Sequence, residues 1–386
     1  MKQVAEIEVY PRGSKIVHIG PPKTGTTAVQ SALFRRKADL AAYGVDYPGQ
    51  RRHERAAVSA VAFEATLAGY SDDIVQEWAR FSREARGSTA DRVFVSSESF
   101  SRAPDARLSR IVEDLGGPDL QIVVTMRPLG QILPSRWQQQ MQDYQVDSYS
   151  DWLERLFATG ADADPGTAPV WRRYRVDRLI RRWGAHVGEE NITVVVLDPE
   201  DRSMLLGTFE RLLGLPAGFL EPVPDKDNLS LPWPEAEMLR AFNRRFRAEG
   251  HDRALYVRSV RRYAKRQIKV AGQPVMPSYP IETPAWAVER ANEVVAEMTA
   301  GIRASGARVI GDLAHLIAPV RGNGAEVEAP TRVAVDSAAE IAYAMFLAGR
   351  RQARKQRDDR PTVDQIPARD LARVLLARVI GRLGGR

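Results

Sequence analysis

The chain has no cysteine. That excludes disulfide scaffolds, cysteine-ligated zinc, iron–sulfur clusters and thiol nucleophiles. It also lacks any run of about 18 uncharged apolar residues, the length a membrane-crossing helix needs. The opening stretch MKQVAEIEVYPRGSK has no apolar core and carries Glu6 and Glu8, so a secretory leader is not expected and a cytoplasmic location is. No internal repeat is visible. Histidine is scarce, at positions 18, 53, 186, 251 and 315 only, which leaves few imidazoles to weigh as proton acceptors.

Net basic charge is missing from most of the chain. Eleven Lys/Arg and four Asp lie between Arg350 and Arg386, an excess equal to the whole net charge of +7. The first 349 residues are thus formally neutral, and the high isoelectric point describes the tail. What remains is ordinary globular composition, 44% hydrophobic and 27% charged, which excludes a mostly disordered chain. At roughly 150 residues per domain, 386 residues fit two to three domains or one large α/β unit with insertions.

Apolar runs alternate with helical periodicity. KIVHI at 15–19, RVFVSS at 92–97, QIVVTM at 121–126 and ITVVVLD at 192–198 read as buried strands. Helices are expected at 26–38, 54–68, 72–86, 104–115, from Pro128 onward with Pro134 inside, at 203–213, 235–249, 253–270 and 285–304, with a short last strand in 307–313. Strands alternating with helices predict a parallel sheet covered on both faces. The expected organisation is an α/β unit over 1–316 with helical segments around 137–190 and 235–304, a linker at 317–333, and a basic helical appendage at 334–386.

The sharpest feature is the loop Gly20-Pro21-Pro22-Lys23-Thr24-Gly25-Thr26-Thr27 between the first strand and the first helix. An ATP-binding loop reads G-x-x-x-x-G-K-[ST]. Both glycines are correctly placed here, but Thr26 stands where the lysine belongs, and the loop lysine is Lys23, three positions earlier. Backbone N–H groups and the helix dipole still favour an anion. The hydroxyls of Thr24, Thr26 and Thr27 add donors, and Lys23 adds a compact charge. Loss of the lysine that reaches terminal phosphates disfavours ATP or GTP chemistry.

PPKTGTT after a strand resembles the 5′-phosphosulfate loop of sulfotransferases that use 3′-phosphoadenosine 5′-phosphosulfate (PAPS). A second resemblance lies in TMRPLGQILPSRW, which carries Arg127 at a strand end and Ser135 eight residues on, the pair that in the family grips the nucleotide 3′-phosphate. The order of elements matches from about 15 to 215. DNLSLPWPEAEMLRAFN and ASGARVIGDL look like bacterial, carbohydrate-type members. The resemblance implies a P-loop-like three-layer fold with a central parallel sheet, PAPS as sulfuryl donor, no metal, and a hydroxyl-bearing acceptor such as a glycan or glycolipid. Nucleic acid is not an expected partner. Two family features depart. Ala28 stands where cytosolic small-molecule members carry an adenine-stacking aromatic, and the C-terminal Arg-Lys-Gly-type clamp is missing, with Arg266 or Lys269 as substitutes.

Sulfuryl transfer needs charge stabilisation on the leaving phosphate and a base for the acceptor. Lys23 is the candidate for the first. The resemblance places the base near the end of the strand before the Arg-bearing one, which is Glu98 in VFVSSESF. A carboxylate there points into the crevice where α/β sheets bind ligands. The rival is His53, near a loop mouth, as base or substrate contact. His18, inside the first strand, reads as a satisfied core residue. Trp137, Trp152, Trp171, Trp183 and Trp233 read mainly as core, with at most one or two against the acceptor. The tail's charges suit weak contact with an anionic membrane surface. The alternatives are a P-loop nucleotide kinase and a non-catalytic anion-binding protein.

Overall fold

In the computed structural model, residues 7–63, 72–158, 164, 167–223, 232–257, 281–320 and 329–358 are described. Six parallel strands form one sheet: β1 (Ser14–His18), β2 (Val45–Asp46), β3 (Arg92–Ser96), β4 (Gln121–Met126), β5 (Ile192–Val196) and β6 (Arg308–Ile310). Their order is β2-β3-β1-β4-β5-β6. The chain thus leaves β1 for one edge, returns to β3 beside it, then crosses to β4 on the other side. β1 is flanked by β3 with Ser14 opposite Arg92 and His18 opposite Ser96, and by β4 with His18 opposite Val123. Such a reversal of strand order opens a crevice beyond the carboxyl ends of the strands.

Alternation along the strands splits the core in two, as expected of a sheet buried on both faces. Val17, Val93, Val95, Ile122, Val124, Val194 and Val196 join one apolar cluster. Ile16, Phe94, Val123 and Val195 join the other. The first face is covered by helices Arg55–Ala62, Asp72–Gly87, Asp105–Leu115, Leu129–Met141, Val176–Val187 and Ala285–Ala304, the second by Thr26–Arg35 and Met204–Leu213. The protein is a three-layer α/β fold with an all-parallel central sheet.

Several boundaries differ from the expected ones. The first helix stops at Arg35 and the chain turns again at Lys37–Leu40. The edge strand Val45–Asp46 is too short to show periodicity in sequence. Helix Trp233–Ala248 matches the expected segment closely, whereas the described part of the next one is Arg253–Tyr256. All five tryptophans at 137, 152, 171, 183 and 233 are buried. They fill the helical layer, as the core reading of each expects.

The C-terminal helix spans Val335–Asp358. Its Ile341 is buried within the main apolar cluster, while Tyr343 and Phe346 are exposed. Ile341 thus packs this helix against the α/β unit. The proposed clamp residues Arg266 and Lys269, and the tail beyond 358, lie outside the described residues. Among the described residues no helix is long and apolar enough to cross a membrane, and no cluster of His, Asp and Glu is arranged to hold a metal.

Candidate functional site

Each strand that borders the crevice carries a polar residue at or next to its end: His18 on β1, Ser96 on β3 and Thr125, before Met126, on β4. These three side chains are buried and joined. Thr24 Oγ1 donates to the Pro21 carbonyl at 2.8 Å. A hydroxyl has one proton, so its 2.7 Å contact with Thr125 Oγ1 makes Thr125 the donor there. Thr125 in turn accepts from His18 Nε2 at 3.2 Å. His18 is then the Nε2–H tautomer, and its Nδ1 accepts from the Ser96 hydroxyl at 3.0 Å. Gln30, from the helix behind the loop, donates to Ser96 Oγ at 3.2 Å and to the Ser96 carbonyl at 3.1 Å. Burial lowers the His18 pKa to about 3, which keeps the imidazole neutral.

This network fixes the floor of the loop. A Cβ on Gly20 would lie 2.5 Å from Thr125 Oγ1 and 2.6 Å from His18 Nε2, so only glycine lets the backbone pass. Gly25 sits at φ 95° and caps the first helix, with Ala28 and Val29 donating to its carbonyl. The N–H groups before them have no intrahelical acceptor. Lys23 also adopts a left-handed backbone, φ 71°, a conformation costly for a residue with a Cβ. Tyr174 closes the loop from outside, its buried hydroxyl donating to the Pro22 carbonyl at 3.0 Å.

The loop threonines differ in what they offer. The Thr24 hydroxyl is spent on the core, which leaves its backbone N–H for a ligand. The Thr26 hydroxyl is buried without a hydrogen-bond partner. Thr27 is half-buried in the first helical turn, where no acidic side chain opposes an anion. Arg127, directly after β4, is exposed. Ser135 lies on the helix that follows and donates to its own Ile132 carbonyl at 3.1 Å.

Glu98 and His53 come from separate segments to the end of β3. His53 Nε2 lies 3.0 Å from Ser97 Oγ, the residue before Glu98. Burial, then Arg55 and Arg52, lower the His53 pKa to about 4. Glu98 is half-buried, with Arg102, Arg173 and Tyr174 within its electrostatic reach. The structure thus gathers Lys23, Thr24, Gly25, Thr26, Thr27, His53, Glu98 and Arg127 along the carboxyl edge of β1, β3 and β4.

The sequence reading missed Thr125, Ser96, Gln30 and Tyr174, together with two buried arginines, Arg136 and Arg173, and the exposed Arg102 near them. A signal existed for the first two, since each is a polar residue in an otherwise apolar strand. Tyr174 and the arginines carry none, because their meeting depends on how the helical insertion folds back.

No family model matches the chain, and no curated protein matches it. Among solved structures the chain is similar to a sulfotransferase from Alicyclobacillus acidocaldarius. The identity is 15% and the TM-score 0.35, with 64% of this chain and 99% of the other covered.

Proposed function

We propose that the protein transfers a sulfuryl group from PAPS to a hydroxyl of an acceptor, a glycan or glycolipid among the candidates. The observation that carries this reading is the loop itself. It has the anion-cradling backbone of a P-loop, with Thr26 buried and unpartnered where a nucleotide kinase has its lysine. An orphaned buried hydroxyl is costly unless a ligand satisfies it. The donor set of loop N–H groups, Thr26, Thr27 and Lys23 fits a phosphosulfate.

PAPS, the donor substrate, supplies a sulfur already bonded to a good leaving phosphate. The backbone of residues 23–27 holds that phosphate, and the Lys23 ammonium offsets the charge it gains as its bond to sulfur breaks. Arg127 and Ser135 address the 3′-phosphate. The acceptor oxygen forms the new bond to sulfur, and its proton passes to the Glu98 carboxylate. His53 is the weaker candidate for that proton. Its ring nitrogen already engages Ser97, and its lowered pKa makes it a poorer base. Its place is to fix the turn that presents Glu98.

Calorimetry with adenosine 3′,5′-bisphosphate and AMP tests the nucleotide assignment. The bisphosphate binds more tightly, and Arg127→Ala removes that preference. A charge-assisted contact of about 1.5–3 kcal/mol corresponds to roughly 10- to 150-fold in affinity. Equal affinities for the two nucleotides in the unaltered protein overturn the reading. Magnesium-dependent ATP turnover favours the kinase alternative, and bisphosphate binding without transfer to any hydroxyl acceptor favours a non-catalytic anion binder.

A further inference from the structure

Beside Glu98, three guanidinium groups converge from elements far apart in sequence. Arg102 ends the short turn Phe100–Arg102 after β3. Arg136 lies in helix Leu129–Met141, and Arg173 in helix Ala168–Tyr174. Arg136 is 8% exposed and Arg173 4% exposed. Both have a buried Nε with no hydrogen-bond partner among the described residues. The hydrogen bond from Arg136 goes to Gln139 Oε1, a neutral acceptor, at 3.2 Å. Burial, and then the charges of Arg136 and Arg102, hold the Arg173 guanidinium well below its ordinary value. The other charged groups within reach of the cluster are Arg55 and the carboxylates of Glu98 and Asp143.

Arg136 and Arg173 are buried with donors left open, and the exposed Arg102, its guanidinium 4.5 Å over the Phe63 ring, adds a third charge; two such buried cations are poor for stability. Guanidinium forks match oxyanions with two or more oxygens. The cluster is not the phosphate loop, which uses backbone N–H groups and Lys23. The two are neighbours, since Tyr174, adjacent to Arg173, holds Pro22.

Resting on the sulfuryl-transfer reading, we infer that Arg102, Arg136 and Arg173 form a second oxyanion site that receives an anionic group of the acceptor. The acceptor is then a hydroxyl compound bearing a carboxylate or a sulfate, such as an acidic sugar, rather than a neutral one. Its anion on the arginines would place a nearby hydroxyl at Glu98.

The test uses the full chain saturated with adenosine 3′,5′-bisphosphate, so that the loop is filled, and titrates inorganic sulfate by calorimetry. Saturable sulfate binding is expected, weakened at least tenfold by Arg173→Met and by Arg136→Met. Bisphosphate affinity stays unchanged in both variants. The melting temperature of each ligand-free variant rises, because a buried unpaired cation is gone. Methyl β-glucuronide displaces the sulfate, whereas methyl β-glucoside does not. Absence of saturable sulfate binding overturns the site, as does binding that survives both substitutions. Loss of bisphosphate affinity in the variants assigns the arginines to the nucleotide instead. Displacement by both glycosides, or by neither, overturns the anionic acceptor. If the unaltered protein fails to bind the bisphosphate, the sulfuryl-transfer reading fails. Sulfate titration of the free protein then still separates the sites, Lys23→Ala removing loop binding and Arg173→Met removing arginine-site binding.

Discussion

Tyr174 donates its buried hydroxyl to the carbonyl oxygen of Pro22 at 3.0 Å, across 152 residues of sequence. The bond ties the helical insertion to the anion loop, so the loop's shape depends on a segment that contributes no strand to the sheet. Tyr174→Phe leaves the Pro22 carbonyl without this donor, at a cost of about 1–3 kcal/mol. The expected result is a lower urea midpoint and weaker binding of adenosine 3′,5′-bisphosphate. Unchanged nucleotide affinity would show that the loop holds its shape without the tyrosine.

Lys23 combines a reactive role with a left-handed backbone. Glycine adopts φ 71° freely and alanine does not. Lys23→Gly and Lys23→Ala should both lose turnover, because both lack the ammonium. The glycine variant should be the more stable of the two by about 1 kcal/mol. Equal stability in chemical denaturation would mean that the loop backbone carries no strain at this residue.

The choice of base is open to kinetics. Glu98→Gln keeps nucleotide binding and is expected to lose roughly 10²- to 10⁴-fold in rate. His53→Ala loses less, through disorder at Ser97. Near-normal turnover in Glu98→Gln with an inactive His53→Ala would reverse the assignment.

Acid stability follows from the buried imidazole. His18 stays neutral in the fold down to about pH 3, whereas in the unfolded chain it takes up a proton near pH 6.5. The unfolded state therefore binds more protons below pH 6.5, and stability falls as pH drops from there towards 3. At pH 5 the contribution from His18 alone is about 2 kcal/mol. Melting temperatures between pH 7 and pH 4 should decline in the unaltered protein and decline less in His18→Gln. Parallel profiles would remove His18 as the cause.

Among the described side chains of the C-terminal helix, Ile341 is the buried one. Ile341 is 2% exposed, and Ile341→Ala should cost about 2–5 kcal/mol by leaving a cavity in the main core. Exposed Phe346→Ala on the same helix should cost much less. A mild effect of Ile341→Ala would show that this helix contributes little to the stability of the α/β unit.

Much of the fold was legible because strands and helices announce themselves through local periodicity. QIVVTM gives β4 residue for residue, and Gly116 ends helix Asp105–Leu115 where the Gly-Gly pair predicts. The loop was legible too, since a phosphate cradle is contiguous in sequence and its glycines sit at fixed offsets. Glu98 and Arg127 could be placed at strand ends from the strands alone.

What the sequence by itself determined was therefore the α/β class, the position of the anion loop and the missing loop lysine. Only the tertiary structure decided which way the loop's side chains turn, sending the Thr24 hydroxyl into the core and leaving that of Thr26 unpartnered. It also decided where charge collects. The first 349 residues are formally neutral, yet Arg102, Arg136 and Arg173 meet beside Glu98. Net charge sums over the chain without regard to place, whereas an electrostatic field depends on distance and burial. Those are set by helices that return to the sheet from far along the sequence.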